Sequence, residues 1–165
     1  MRLSAGAAKM TAVVVLLLLL HFALGPWLGD RRAGPDLLLL GLMVYAMRTS
    51  PGRAAVAGFA LGLMGDSITV VGFGSGAIAH TCVGYLVAWG RAIFFTDNLI
   101  VSAGFFVGGT WFRDLLLLAS GGYLGGGALV WQLVFWSLVK GVTTALVGVA
   151  VLFVFREWLN VRMSE

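Results

Sequence analysis

The sequence predicts an all-α integral membrane protein: a bundle of six transmembrane helices with both termini cytoplasmic. Three observations predict it. Of 165 residues, 60% are apolar and 11% charged, against about 25% charged in an ordinary soluble domain. Long uncharged stretches are separated by short breaks. Lys and Arg fall unequally on the two sides of the spans those stretches define. The same composition excludes disorder. The basic residues are scattered rather than gathered in a stripe, so the net charge of +4 does not point to nucleic acid. The whole chain, 1–165, reads as a single transmembrane domain.

The expected spans are about 10–28, 35–49, 54–71, 77–90, 98–119 and 129–155. The first lies in the 20 uncharged residues between Lys9 and Asp30, long enough to cross a bilayer core. No small-x-small cleavage site follows it cleanly, so a retained helix is expected. The second follows Pro35-Asp36 and stops at Ser50-Pro51. Pro suits the first helical turn, and Asp there meets the positive end of the dipole. Its uncharged stretch, Leu37 to Met47, is short, so it spans only if Asp36 is drawn into the membrane. The third starts after Arg53 and reaches Asp66, where the Gly-rich run Gly72 to Gly76 turns the chain. The fourth runs from Ala77 to Gly90 and stops at Arg91. The fifth continues through Arg113-Asp114 to Ala119. Gly121-Gly122 and Gly125 to Gly127 make the next turn. The sixth passes Lys140 and ends at Arg156-Glu157.

Orientation follows from Lys and Arg alone. With the N-terminus cytoplasmic, the inner segments hold Arg2, Lys9, Arg48, Arg53, Arg91, Arg156 and Arg162, and the outer loops hold Arg31 and Arg32. Trp27 and Trp131 then fall near the outer interface, and Trp89 and Trp158 near the inner one, as an aromatic belt would.

Ionisable residues inside spans are costly and face protein or water. Here they are Asp36, Asp66, His80, Arg113, Asp114 and Lys140. Counted from the cytoplasmic ends at 1.5 Å per residue, Asp36 lies about 18 Å deep, Asp66 about 20 Å, His80 about 16 Å, Arg113 about 22 Å and Lys140 about 24 Å. In a core about 30 Å thick they form one layer in the outer half. Three carboxylates face two cations, so the layer nearly neutralises itself. Arg113 and Asp114 are adjacent and point about 100° apart. Two separate pairs are expected, for example Asp66 with Arg113 and Asp114 with Lys140. The layer either locks helices together or lines a ligand cavity. Gly58, Gly62 and Asp66 share one helix face at spacing four, which aims Asp66 into the bundle. Gly104 and Gly108 give the fifth helix a second close-packing face. Ser137, Lys140, Thr143 and Thr144 form a polar stripe on the sixth. Cys82 is a small apolar filler.

No Walker A, HExxH, GxSxG or dinucleotide fingerprint is present. Asp66 and Asp114 at similar depth raise a membrane aspartic hydrolase, but Arg113 and Lys140 at the same level would keep both ionised, against the shared proton such an enzyme needs. No catalytic residue, metal or cofactor is expected.

The run Pro35-Asp36-Leu37-Leu38-Leu39-Leu40, then Arg48 and Pro51, then Gly58-Phe59 through Gly62-Leu63 to Gly65-Asp66, resembles the rod-shape-determining membrane protein MreD family. The Gly-rich break at Gly72 to Gly76 and the small-residue start of the fourth helix do too. The resemblance covers about Pro35 to Tyr85. Arg113-Asp114 and Lys140 match no family motif. The resemblance implies a non-enzymatic scaffold subunit of the cell-elongation machinery in the bacterial inner membrane. Its implied partners are the single-span protein MreC and, through it, the MreB filament, RodA and a class B penicillin-binding transpeptidase, besides membrane lipid. Gly-lined grooves (Gly58, Gly62, Gly104, Gly108) are expected to accept the membrane helix of MreC. The family is also thought similar to the S-components of energy-coupling-factor transporters. The alternative function is therefore a small-solute (vitamin) binding subunit.

Overall fold

The computed structural model describes residues 5–24, 33–68, 73–93, 98–120 and 130–155. Regular structure among them is helical: α1 (Ala5–Leu24), α2 (Leu37–Ala46), α3 (Pro51–Asp66), α4 (Ser75–Ile93), α5 (Leu99–Ser120) and α6 (Ser137–Val154), the last entered through a π turn at Gln132–Trp136. Several expectations fall outside the described residues: the Gly-rich turn at 121–127, the span ends at 25–28 and 69–71, and Arg2, Arg31, Arg32, Arg156, Arg162, Trp27 and Trp158. Two rods, Leu99–Ser120 and Gln132–Val154, are each long and apolar enough to cross a bilayer.

Within the expected second span, 35–49, the regular helix is shorter than the span. Its helix covers ten residues, about 15 Å, half the hydrocarbon core. Asp36 caps one end. At the other, Arg48 and Thr49 close onto Tyr45 and Ala46 in a tight turn, and Pro51 holds Ser50 extended (φ −76°, ψ 153°). A short helix that is apolar all round belongs inside a structure. That is where α2 sits: every residue from Leu37 to Ala46 except Tyr45 is buried. It touches α1, α3, α4, α5 and α6, so it is the post around which the bundle is built. Among lipid tails such burial gains packing contact rather than release of water.

Around α2 the other helices pair off. α3 lies tightest on α4, and α5 on α6. Glycine permits both contacts. A Cβ at Gly58 would strike the carbonyl oxygen of His80, and one at Gly62 would stand 2.5 Å from Ala77 Cα. Gly141 lies against Val107, and Gly148 against the ring of Phe106. On α1, Met10, Val13 and Leu17 are buried, while Val15, Leu16 and Leu19 face outward. Trp89 is also outward, as is Trp131, whose ring stacks on Phe135 at 4.8 Å.

Candidate functional site: a buried ion network and an open groove

Asp36 is the centre of the polar interior. As N-cap of α2 it accepts from Leu39 N–H at 3.0 Å through Oδ1, which satisfies one of the orphan donors of the first turn. Its own N–H donates to Thr144 Oγ1 at 3.1 Å. The neighbouring Thr143 hydroxyl donates to Ala33 O at 2.8 Å. Adjacent threonines of α6 thus clasp the segment that leads into α2. Oδ2 of Asp36 pairs with Arg113 of α5, and Lys140 Nζ stands 3.8 Å from the same oxygen. Arg113 turns its other terminal nitrogen to Asp114 Oδ1 at 2.8 Å. The guanidinium therefore lies between two carboxylates, using the two sides of its planar fork.

This corrects the expected pairing of Asp66 with Arg113 and Asp114 with Lys140. The Arg113 side chain is long and presents donors on two edges, so it bonds its sequence neighbour and α2 together. The 100° between adjacent residues constrains Cβ directions, not the far end of an arginine. Lys140 takes Asp36 as its near carboxylate.

Asp66 serves a different end. Its Oδ2 accepts from Gly74 N–H at 2.8 Å and Ala77 N–H at 3.1 Å. These are the first free donors of α4, and the carboxylate also meets the positive end of that helix dipole. Gly74 has no side chain to cap with and lies at φ +95°, so the acid of the preceding helix caps in its place. Gly76 has to be glycine here, because a Cβ would collide with Asp66 Oδ1.

His80 is buried and donates Nδ1–H to Gly76 O at 2.7 Å. His21, absent from the expected layer, joins it from α1. Its Nδ1 accepts from Leu38 N–H at 3.3 Å and lies 4.0 Å from Asp36 Oδ1. Through that bond His21 braces the start of α2. Its position in the last turn of a Leu-rich helix hid it from a search for charges. Thr144 and Ser102 are buried as well.

The four glycines expected to form a partner groove divide. Gly58 and Gly62 are covered by α4 of the same chain and offer nothing to a partner. Gly104 and Gly108 have no atom within 4 Å of where a Cβ would stand. They floor an open apolar groove of about 380 Å³ between α4 and α5, with walls from Val83, Leu86, Val87, Phe105 and Phe112. Among the described residues no group of three or more His, Cys, Asp or Glu is placed to hold a metal.

These features define a helical membrane protein braced internally by charge, with one glycine-floored face left open. The profile of the rod shape-determining protein MreD family matches residues 6–121, and the chain belongs to that family. No curated protein and no solved structure gave a match. The family gives the protein a role in rod-shape determination as a structural component of the membrane.

Proposed function

We propose that the protein is a non-enzymatic scaffold of the cell-elongation complex in the bacterial inner membrane. It crosses the bilayer six times with both termini cytoplasmic, binds MreC, and so joins MreC to RodA, its class B transpeptidase and MreB. The observation that carries this reading is the groove floored by Gly104 and Gly108. Bare backbone at spacing four on a membrane helix lets a second helix approach closely, and Val101, Phe105 and Phe112 continue that face along α5. The membrane helix of MreC fits such a slot. The charge network behind it would keep α5 in place while the partner docks. The solute-binding alternative gains nothing from this groove, whose walls are apolar.

The test is capture of MreC by the purified protein in nanodiscs, comparing wild type with Gly104→Leu and Gly108→Leu. Both substitutions add a side chain into open space, so the fold should survive. MreC capture should fall at least about tenfold, equivalent to 1.4 kcal/mol. Val56→Leu, on an exposed face of α3, should leave capture unchanged. Undiminished capture by both glycine variants would refute the groove as the docking site.

A further inference from the structure

Among the described residues two buried side-chain atoms, His80 Nε2 and Arg113 Nε, lack a hydrogen-bond partner, and the ammonium of Lys140, 17% exposed, stands near them in an ion pair with Asp36. His80 uses Nδ1–H on Gly76 O, which in the neutral ring leaves Nε2 as an acceptor. That atom is buried with no hydrogen-bond partner among the described residues. Arg113 commits both terminal nitrogens, yet its Nε–H is buried and unpartnered in the same way. Lys140 carries three N–H bonds, and its 3.8 Å approach to Asp36 is an ion-pair distance, too long for a hydrogen bond. Buried polar groups in folded proteins are nearly always satisfied, commonly by a buried water.

The helix register brings His80 and Arg113 to one level. A Cβ at Gly90 would meet the Phe105 ring at 2.8 Å, and one at Gly109 would stand 3.4 Å from Val83 Cγ1. As residue numbers rise along α5 they fall along α4, so the two helices are antiparallel. One turn beyond the Gly109–Val83 contact come Arg113 on α5 and His80 on α4. Lys140 enters from α6, and both Lys140 and Asp114 lie within electrostatic reach of the His80 ring.

The hydrogen-bonding groups around this site restrict what can sit there. Its occupant must accept from Arg113 Nε–H and Lys140 Nζ–H and donate to His80 Nε2. A carboxylate or carbonyl has no proton to give Nε2. An ammonium has no lone pair for the cations. A hydroxyl has both.

We propose that the space between α4, α5 and α6 is a buried hydroxyl-binding site, with His80 as acceptor and Arg113 and Lys140 as donors. Its occupant is water or the alcohol group of a small neutral solute. The site links the Asp66-capped start of α4 to the Asp36 network through one shared hydroxyl.

The test is solid-state NMR of the full chain in lipid bilayers with labelled histidine. His80 should carry its proton on Nδ1, and Nε2 should show magnetisation transfer from a non-protein proton. Loss of that transfer on exchange into D2O, with no hydroxylated molecule recovered by mass spectrometry of the extracted protein, identifies water. A near-stoichiometric hydroxylated molecule identifies a solute. Arg113→Lys, which keeps the charge and removes Nε, should weaken the transfer several-fold. His80→Gln should retain it at the new acceptor. A proton on Nε2, a direct bond from Nε2 to a protein group, or transfer unaltered by Arg113→Lys would overturn the proposal.

Discussion

Replacing Asp36 by Asn separates charge from capping at a single oxygen. Asn retains an acceptor for Leu39 N–H, so the cap of α2 persists. What is lost is the negative charge that faces Arg113, whose side chain is 8% exposed against 10% for Asp36. Removing one member of a buried pair leaves the other uncompensated, a cost of roughly 3–5 kcal/mol. Arg113 keeps Asp114 at 2.8 Å, so the lower end, about 3 kcal/mol, is expected. Asp36→Ala also forfeits the cap, which adds about 1 kcal/mol. Arg113→Gln in the Asp36→Asn background removes the stranded guanidinium, and Lys140 loses Asp36 in the single and the double variant alike, so the double variant should be more stable than the sum of the singles by about 2–3 kcal/mol. The assay is reversible unfolding in mixed micelles, titrated with denaturing detergent and followed by helical circular dichroism. The corresponding Asp66→Asn and Arg113→Gln cycle should be additive within about 0.5 kcal/mol, because the two residues share no contact. Coupling in the Asp66 cycle, or none in the Asp36 cycle, would refute the assignment of partners.

Further outcomes follow from the same geometry and can be read by the same unfolding assay. Gly58→Ala forces α3 off α4 at the His80 carbonyl and should destabilise by about 1–3 kcal/mol, whereas Gly104→Ala meets open space and should not destabilise. Gly74→Ala places a side chain at φ +95° and should cost about 1–2 kcal/mol through backbone strain alone. Gly52→Ala, in the first turn of α3 with nothing nearby, should instead be neutral or stabilise by up to about 1 kcal/mol. Asp66→Ala uncaps α4 and should cost about 1–2 kcal/mol. Amide exchange at Gly74 and Ala77 should rise with it, while exchange at Leu39 stays unchanged.

Composition and the long uncharged runs were enough to predict a helical membrane protein, because so few polar residues cannot cover so much apolar side chain in water and the runs are long enough for helices to span. The family was legible too, carried by Pro35-Asp36 and the Gly58 to Asp66 run, which are local in the chain. The division of labour among the acids was not legible. Depth counting assigns a level to each residue but no azimuth across the bundle. Asp36 reaches Arg113 because α2 is a short central post, and Asp66 turns to Gly74 and Ala77 because the bare start of α4 lies within hydrogen-bond reach. His21 was invisible because a single histidine in a Leu-rich helix has no periodic signature. The four glycines carry the same lesson. In sequence, Gly58 and Gly62 look like Gly104 and Gly108, and spacing four states that a backbone can be approached. Whether the chain's own α4 already occupies that approach is decided by how the helices pack, so only the tertiary structure separates an internal seam from an open groove.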